Sequence, residues 1–276
     1  PPSTSAVLYG SITGVSIGKL LIGGLGPGIL MGLLMMLISW YICKKRDYAL
    51  APRASARERW VSFKDSFAAI MMPVILIVGI LSGYFTPTEG ACVATVYSIL
   101  IGKFVYKRLN FKKLFHILEN TAIFASATLF VMGMAAIFGL VLTHNQVPTK
   151  LCDFFLSLSD NKYVILLLIN ILLLILGMLM EGNAIYMILG PILGVLAVQL
   201  GCDPVHFGIM VIFNLTLGLI TPPVGLCLFL TQKVARISSG QMIKAILPFV
   251  GMMIICLLII TYFPPLVTFL PNLWMK

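Results

Sequence analysis

The chain has 276 residues, 60% of them hydrophobic and only 10% charged, with a mean hydropathy of +1.06. A soluble domain is nearer half apolar and a quarter charged, so the composition excludes a soluble enzyme, a nucleic-acid-binding protein and a disordered chain, and describes an integral membrane protein. The net charge of +10 then marks cytoplasmic loops, where Lys and Arg of membrane proteins collect.

The chain opens at Pro1-Pro2 with no initiator methionine and no signal peptide, and reads as a fragment of a longer protein. A span takes about 20 apolar residues for a hydrocarbon core about 30 Å thick. Stretches 20–43, 66–84, 88–104, 120–143 and 243–262 satisfy this. Their long, unalternated runs imply helices, since barrel strands alternate polar and apolar residues. The fold class is therefore an all-α integral membrane protein. The first basic group, in a cytoplasmic loop over 44–65, is Lys44, Lys45, Arg46, Arg53, Arg57, Arg59 and Lys64. A second is Lys103, Lys107, Arg108, Lys112 and Lys113, and a third is Lys233, Arg236 and Lys244. With all three inside, 66–104 crosses twice and turns outside at Phe85–Gly90. There Thr86 takes the N-cap, Pro87 the first helical position and Glu89 the capping-box position. Glu89 is thus a cap at the outer surface rather than an acid inside the membrane. Segment 120–143 crosses outward and leaves 144–162 outside.

Two further apolar stretches, 163–200 and 204–237, are interrupted. The 34 residues of the second would make a straight helix of about 51 Å, too long for one untilted span. One reading has three crossings, with ends near Glu181, Gly201 and Thr221. The other has a re-entrant hairpin with its tip at Glu181-Gly182-Asn183, followed by one span broken at Thr221-Pro222-Pro223-Val224-Gly225. Both have the same parity, so charge does not choose between them. The six cysteines, Cys43, Cys92, Cys152, Cys202, Cys227 and Cys256, form no C-x-x-C pair and have no His at ligand spacing. They read as small hydrophobes, not metal ligands.

The chain also resembles itself. A shift of 221 residues lays Pro1-Pro2 on Pro222-Pro223, Pro27 on Pro248, Ile22 on Ile243, Met31 on Met252, Leu37-Ile38 on Leu258-Ile259 and Tyr41 on Tyr262. The copies have opposite orientation, because 20–43 ends inside at Lys44 whereas 243–262 begins inside at Lys244. Inverted repeats of this kind build many secondary transporters. Paired prolines remove two backbone donors and push the preceding residue out of helix, so Pro222-Pro223 followed by Gly225 unwinds its helix. Freed carbonyls and half-helix C-termini suit a small cation, and half-helix N-termini suit an anion; the bland reading is a proline kink. Glu181, between Met180 and Gly182, is the carboxylate that the hairpin reading buries, and an intramembrane acid is by default functional. In the three-span reading it caps a helix at a surface. Asn214 and Thr216 either line the same cavity or make polar contacts between helices.

The run Gly208-Ile209-Met210-Val211-Ile212-Phe213-Asn214-Leu215-Thr216-Leu217-Gly218-Leu219-Ile220-Thr221-Pro222-Pro223-Val224-Gly225 resembles the signature of the large membrane subunit of tripartite ATP-independent periplasmic (TRAP) transporters. Asp203–Gly208, Phe85-Thr86-Pro87-Thr88-Glu89 and Pro1-Pro2-Ser3 resemble it too, and the match is to the C-terminal two-thirds of that subunit. The resemblance implies a sodium-coupled elevator in the bacterial inner membrane that imports a small organic acid, with an inverted repeat, a re-entrant hairpin and unwound helices. It implies Na⁺ as coupling ion, with no other metal or cofactor, and favours the hairpin reading. Pro2, Ser3 and Ser5 would hold Na⁺ on one side, and Glu181, Gly182, Thr221 and Val224 on the other. Pro1, Asn183, Asn214, Pro222, Pro223 and Gly225 would line the transport site. The family usually carries Asp where Glu181 stands, which keeps the carboxylate and changes its reach. Residues 1–43 would end the first repeat, 66–162 form scaffold spans, 163–237 the transport hairpin and broken helix, and 238–276 the last span. The implied partners are a small membrane subunit, a periplasmic binding protein and membrane lipid. A membrane-embedded enzyme lacks a catalytic set here; a channel-like passive subunit is the rival class.

Overall fold

The computed structural model describes residues 3–46, 53–159, 161–180, 182–222 and 225–275, and every regular element among them is a helix. In chain order these are α1 (Thr4–Thr13), α2 (Ile17–Gly23), α3 (Leu25–Arg46), α4 (Ala56–Leu81), α5 (Pro87–Leu100), a π turn (Ile101–Val105) and α6 (Phe111–His144). There follow α7 (Val147–Leu158), α8 (Lys162–Leu179), α9 (Gly182–Gln199), α10 (Pro204–Gly218), α11 (Leu226–Ala235), α12 (Ser239–Tyr262) and α13 (Pro265–Trp274). Among the described residues six stretches are long and apolar enough to cross a membrane: 17–46, 56–80, 87–105, 162–179, 182–199 and 239–262. The chain divides into two compact units, one of residues 47–130 and one of 3–46 with 131–276.

The first unit is built on a helical hairpin. Ser55 and Glu58 form a capping box that starts α4: Glu58 Oε2 accepts from Ser55 N at 2.7 Å, and Ser55 Oγ accepts from Glu58 N at 3.2 Å. The last ten residues of the expected 44–65 loop are therefore helix. The Ser-x-x-Glu signature supplies two partners for amides that would otherwise be bare. Thr86 and Glu89 repeat the device at the start of α5, at 2.7 and 3.3 Å. The Phe85 ring closes over Gly79, where a side chain would not fit. Tyr97 donates to the Ala68 carbonyl at 2.7 Å, and Tyr106 to that of Asp65 at 3.0 Å. These bonds run α4 and α5 antiparallel and put Arg57, Arg59 and Lys64 at the same end as Lys103 to Lys113. The Phe85–Gly90 turn lies at the opposite end of this hairpin from the basic residues.

In the second unit α8 and α10 run side by side in the same direction. Asn170 meets Met210 and Asn214, and about two turns further along Gly177 meets Leu215 and Gly218. Helix α9, between them in sequence, runs back the other way, and Lys162 at the start of α8 acts electrostatically on Cys202 after the end of α9. Burial pushes the Cys202 thiol up, against that lysine. Helix α12 ends where α8 begins: the Tyr262 hydroxyl donates to the Tyr163 carbonyl at 3.3 Å, and His206 Nε2 donates to that of Ile260 at 2.8 Å. Residues 144–162, expected as an outer loop, contain α7, which packs on α9. The reason lies in its pattern: Val147, Phe154, Phe155 and Leu158 share one stripe of a helix.

The internal repeat is visible in the order of elements. Helix α1 and helix α11 each have ten residues, each ends on a left-handed residue (Gly14 at φ 75°, Arg236 at φ 53°), and each is followed two residues later by a serine-capped helix, α2 or α12. Ser16 and Ser238 cap those following helices, each accepting from the amide three residues on. From Thr4 to Leu226, and from Ser16 to Ser238, the spacing is 222 residues. The helices are thus one residue further apart than the paired prolines, because Val224-Gly225 stands where the first copy has Ser3 alone. The copies differ at Gly24, which separates α2 from α3 while α12 runs on unbroken through Pro248. Gly23 there lies against Val205 and Val267, and Gly26 against the Leu266 carbonyl, so this bend seats α13 and α10 at backbone distance.

Candidate transport site where two helix breaks meet

The first break follows α8. Met180 leaves the helix in extended conformation (φ −128°, ψ 157°), its amide still bonded to the Leu176 carbonyl at 2.9 Å, and α9 restarts at Gly182. The amides opening α9 carry the positive end of its dipole. Gly182 and Asn183 are both half-buried.

The second break separates α10 from α11. The last turn of α10 tightens, with Ile220 N on the Leu217 carbonyl and Thr221 N on that of Gly218, both at 3.1 Å. The Thr221 hydroxyl, 8% exposed, donates to the Leu217 carbonyl at 2.7 Å, which leaves its oxygen lone pairs to accept or to coordinate. Across the break the Cys227 amide reaches back to the Leu219 carbonyl at 3.1 Å. Gly225 sits at φ 43°, and a Cβ on it would stand 3.0 Å from both the Leu219 and Thr221 carbonyl oxygens. Only glycine accepts both that dihedral and that crowding. The negative end of α10 and the positive end of α11 therefore face one another here.

The two breaks are brought to one level by a glycine contact. A Cβ on Gly218 would lie 2.6 Å from the Gly177 carbonyl carbon and 2.7 Å from its Cα. Gly177 is three residues before Met180 and Gly218 three before Thr221, so the α8–α9 tip and the α10–α11 break lie side by side. Helix α1 comes to the same end. Tyr9 meets Tyr186 edge-on at 6.3 Å, Ile12 faces Gly190 and Thr13 faces Gly194, so α1 runs parallel to α9. Ser3 caps α1, accepting from Ala6 N at 3.3 Å, and Ser3 and Ser5 are half-buried near the level of Gly182.

Of the residues singled out by sequence, Gly182, Asn183, Thr221, Pro222 and Gly225 are thus gathered, with Ser3 and Ser5 on the neighbouring helix. Pro1, Pro2, Glu181, Pro223 and Val224 lie outside the described residues. Asn214 is about 10 Å along α10 from Thr221 and is fully buried. Its amide nitrogen donates to the Asn170 backbone oxygen at 2.9 Å and side-chain oxygen at 2.8 Å, and Asn170 donates to Thr261 at 2.9 Å. Asn214 Oδ1 has no partner among the described residues. Through Asn170 it ties α10 to α8 and α12. Sequence reasoning missed Asn170 and Thr261, although Asn170 is the one amide in the apolar run of α8. A cavity of about 410 Å³ opens at the other end of this unit, lined among others by Tyr9, Thr13, Lys19, Asp203, Thr268 and Asn272. Asp203 there caps α10, accepting from Val205 N and His206 N at 2.9 Å each.

A family model for the tripartite ATP-independent periplasmic transporter, DctM component, matches residues 1–266. The chain belongs to the DctM family. It is 41% identical over 276 residues to the sialic acid TRAP transporter large permease protein SiaM of Vibrio cholerae, covering all of this chain and 64% of that one. It is 39% identical over 272 residues to the C4-dicarboxylate TRAP transporter large permease protein DctM of Pseudomonas aeruginosa, covering 99% of this chain and 64% of that one. It is 40% identical over 270 residues to the isethionate TRAP transporter permease protein DctMQ of Oleidesulfovibrio alaskensis, covering 98% of this chain and 42% of that one. This DctM-family chain therefore spans less than two thirds of the length of these relatives. It is a multi-pass protein of the inner membrane and not an enzyme.

Proposed function

We propose that this chain forms part of the large permease subunit of a TRAP transporter and takes up a small organic anion with Na⁺ as the coupling ion. The observation that carries the reading is the meeting of two helix breaks inside apolar helices. Irregular backbone is tolerated at membrane depth only where protein or a polar cavity satisfies it, and half-helix ends aimed at one another form a ready ion site. The described donors fit a small hard cation: the Thr221 oxygen, carbonyls at the end of α10, and the Gly182-Asn183 backbone at the tip. Glu181 would supply the negative charge, and Val224 a further carbonyl. Ser3 and Ser5, after Pro1-Pro2, would serve the counterpart site on the first repeat.

The relatives named above are named for sialic acid, C4-dicarboxylates and isethionate, all anions at neutral pH. A carboxylate or sulfonate would lie between the two cations with the α9 amides toward it, lined by Asn183, Pro222 and Gly225. A small membrane subunit and a periplasmic binding protein would complete the assembly, the hairpin and broken helix moving as an elevator against scaffold spans.

The test is uptake by the complete transporter in proteoliposomes, with its binding protein supplied outside. An inward sodium gradient should drive accumulation of the labelled anion above its external concentration, and an equal potassium gradient should not. Equilibration alone, identical with either cation, would make it a passive pore.

A further inference from the structure

A cavity of about 640 Å³ lies wholly within the 47–130 unit, between α5 with its π turn and the start of α6. That volume falls within the range of ligand pockets, about 300–1,000 Å³. Its walls are aliphatic, with Met72, Ile99, Leu109, Leu114 and Leu118 prominent. The hydroxyls on it already spend their hydrogens locally: Thr95 on the Ala91 carbonyl at 2.8 Å, Ser98 on Met72 Sδ at 3.3 Å, Thr121 on the Ile117 carbonyl at 2.7 Å. The interior therefore suits hydrocarbon.

The mouth has the opposite character. Arg108 lines it, on a link carrying Lys103, Lys107, Lys112 and Lys113 as well. The link is tied down: the amides of Arg108 and Leu109 both bond the Gly102 carbonyl, at 2.9 and 3.2 Å, and Lys113 Nζ reaches the Arg108 carbonyl at 3.3 Å. Lys103 lies over the Phe111 ring at 4.7 Å. The nearby acid, Glu119, is engaged by His116 at 3.5 Å, and no carboxylate among the described residues pairs with the five cations. Phe104, Phe111 and Phe115 are exposed around them, as aromatic side chains are at headgroup depth. An apolar gap beneath an uncompensated guanidinium, carried on a tied-down link at the cytoplasmic interface, matches one chemistry, an anionic headgroup with acyl chains attached. A transmembrane helix would fill the gap and leave the cations unanswered.

We propose that this cavity binds an anionic phospholipid of the cytoplasmic leaflet, its phosphate held by Arg108 with Lys107 and Lys112 and an acyl chain between α5 and α6. Arginine's planar fork is suited to phosphate, and each cation near an anionic lipid surface contributes a gain of several-fold in binding.

The complete transporter, purified in detergent and examined by native mass spectrometry, tests this with added phosphatidylglycerol and with phosphatidylcholine of the same chains. The wild type should retain phosphatidylglycerol in preference to phosphatidylcholine. Arg108→Ala with Lys112→Ala should lower phosphatidylglycerol retention about tenfold or more, and Thr95→Phe, which fills the gap, should lower it with the cations intact. Arg57→Ala with Arg59→Ala, on the same basic side but away from the cavity, should change it little. Equal retention of both lipids, or equal loss from both double variants, would overturn the proposal. So would loss of the small membrane subunit from Thr95→Phe in place of lipid, which would make the gap a protein interface.

Discussion

Gly177 and Gly218 leave no room for one carbon between α8 and α10. Small residues at such crossings let membrane helices touch backbone to backbone. Gly218→Ala must part the helices, and overpacking of this kind costs about 1–3 kcal/mol; the melting temperature of the purified complex should fall, with uptake falling alongside. An unchanged melting temperature would show that the contact yields without strain. Gly225→Ala probes the break itself: a left-handed residue with a Cβ costs about 1–2 kcal/mol, and here the Cβ also meets two carbonyls. Initial uptake should drop more than protein level does, measured in membranes expressing matched amounts. Glu89 offers a contrast among the acids. Its carboxylate accepts from Thr86 N and Oγ1 at 2.7 and 2.8 Å, so Glu89→Gln keeps the cap and Glu89→Ala loses about 1 kcal/mol. Sodium activation of uptake should be the same in both; a shifted activation curve would make Glu89 an ion ligand.

At the scale of elements, local chemistry was easiest to read. Thr86-Pro87-x-Glu89 announces a helix start from four adjacent residues, and α5 starts there. Ser55-x-x-Glu58 is the same signal, but it sits among basic residues that charge reasoning assigns to a loop, so α4 begins ten residues before the expected span. The paired prolines show where helices break but not their register, since prolines stand outside the helices they end. Asn170, Asn214 and Thr261 were beyond sequence reasoning for another reason. They lie 44 to 91 residues apart, and nothing local in each segment says which polar side chain meets which. Their worth follows from being buried in three helices at once. In a double-mutant cycle, Asn170→Ala and Asn214→Ala should show a coupling of about 0.6–1.7 kcal/mol, the range for hydrogen bonds between membrane helices. Thermal unfolding of the four proteins measures it, and additive losses would mean the bonds contribute nothing beyond packing.

For the whole molecule, hydropathy was enough to read a multi-pass helical protein, and fifteen of its nineteen cations fall in the three basic groups from which an orientation is inferred. They could not show that the chain forms two compact units, because grouping depends on which helices pack together. Nor could they bring the α8–α9 tip to the α10–α11 break, which rests on the glycine contact. In the proposed transporter these breaks form the ion site, and Glu181 provides its charge. The sodium-activation curve of substrate uptake, in proteoliposomes holding the complete transporter, tests that claim most directly. Glu181→Ala should shift half-activation at least about tenfold to higher sodium, equivalent to about 1.4 kcal/mol of lost ion binding, or abolish sodium dependence. A Glu181→Ala transporter with the wild-type sodium curve would contradict the account.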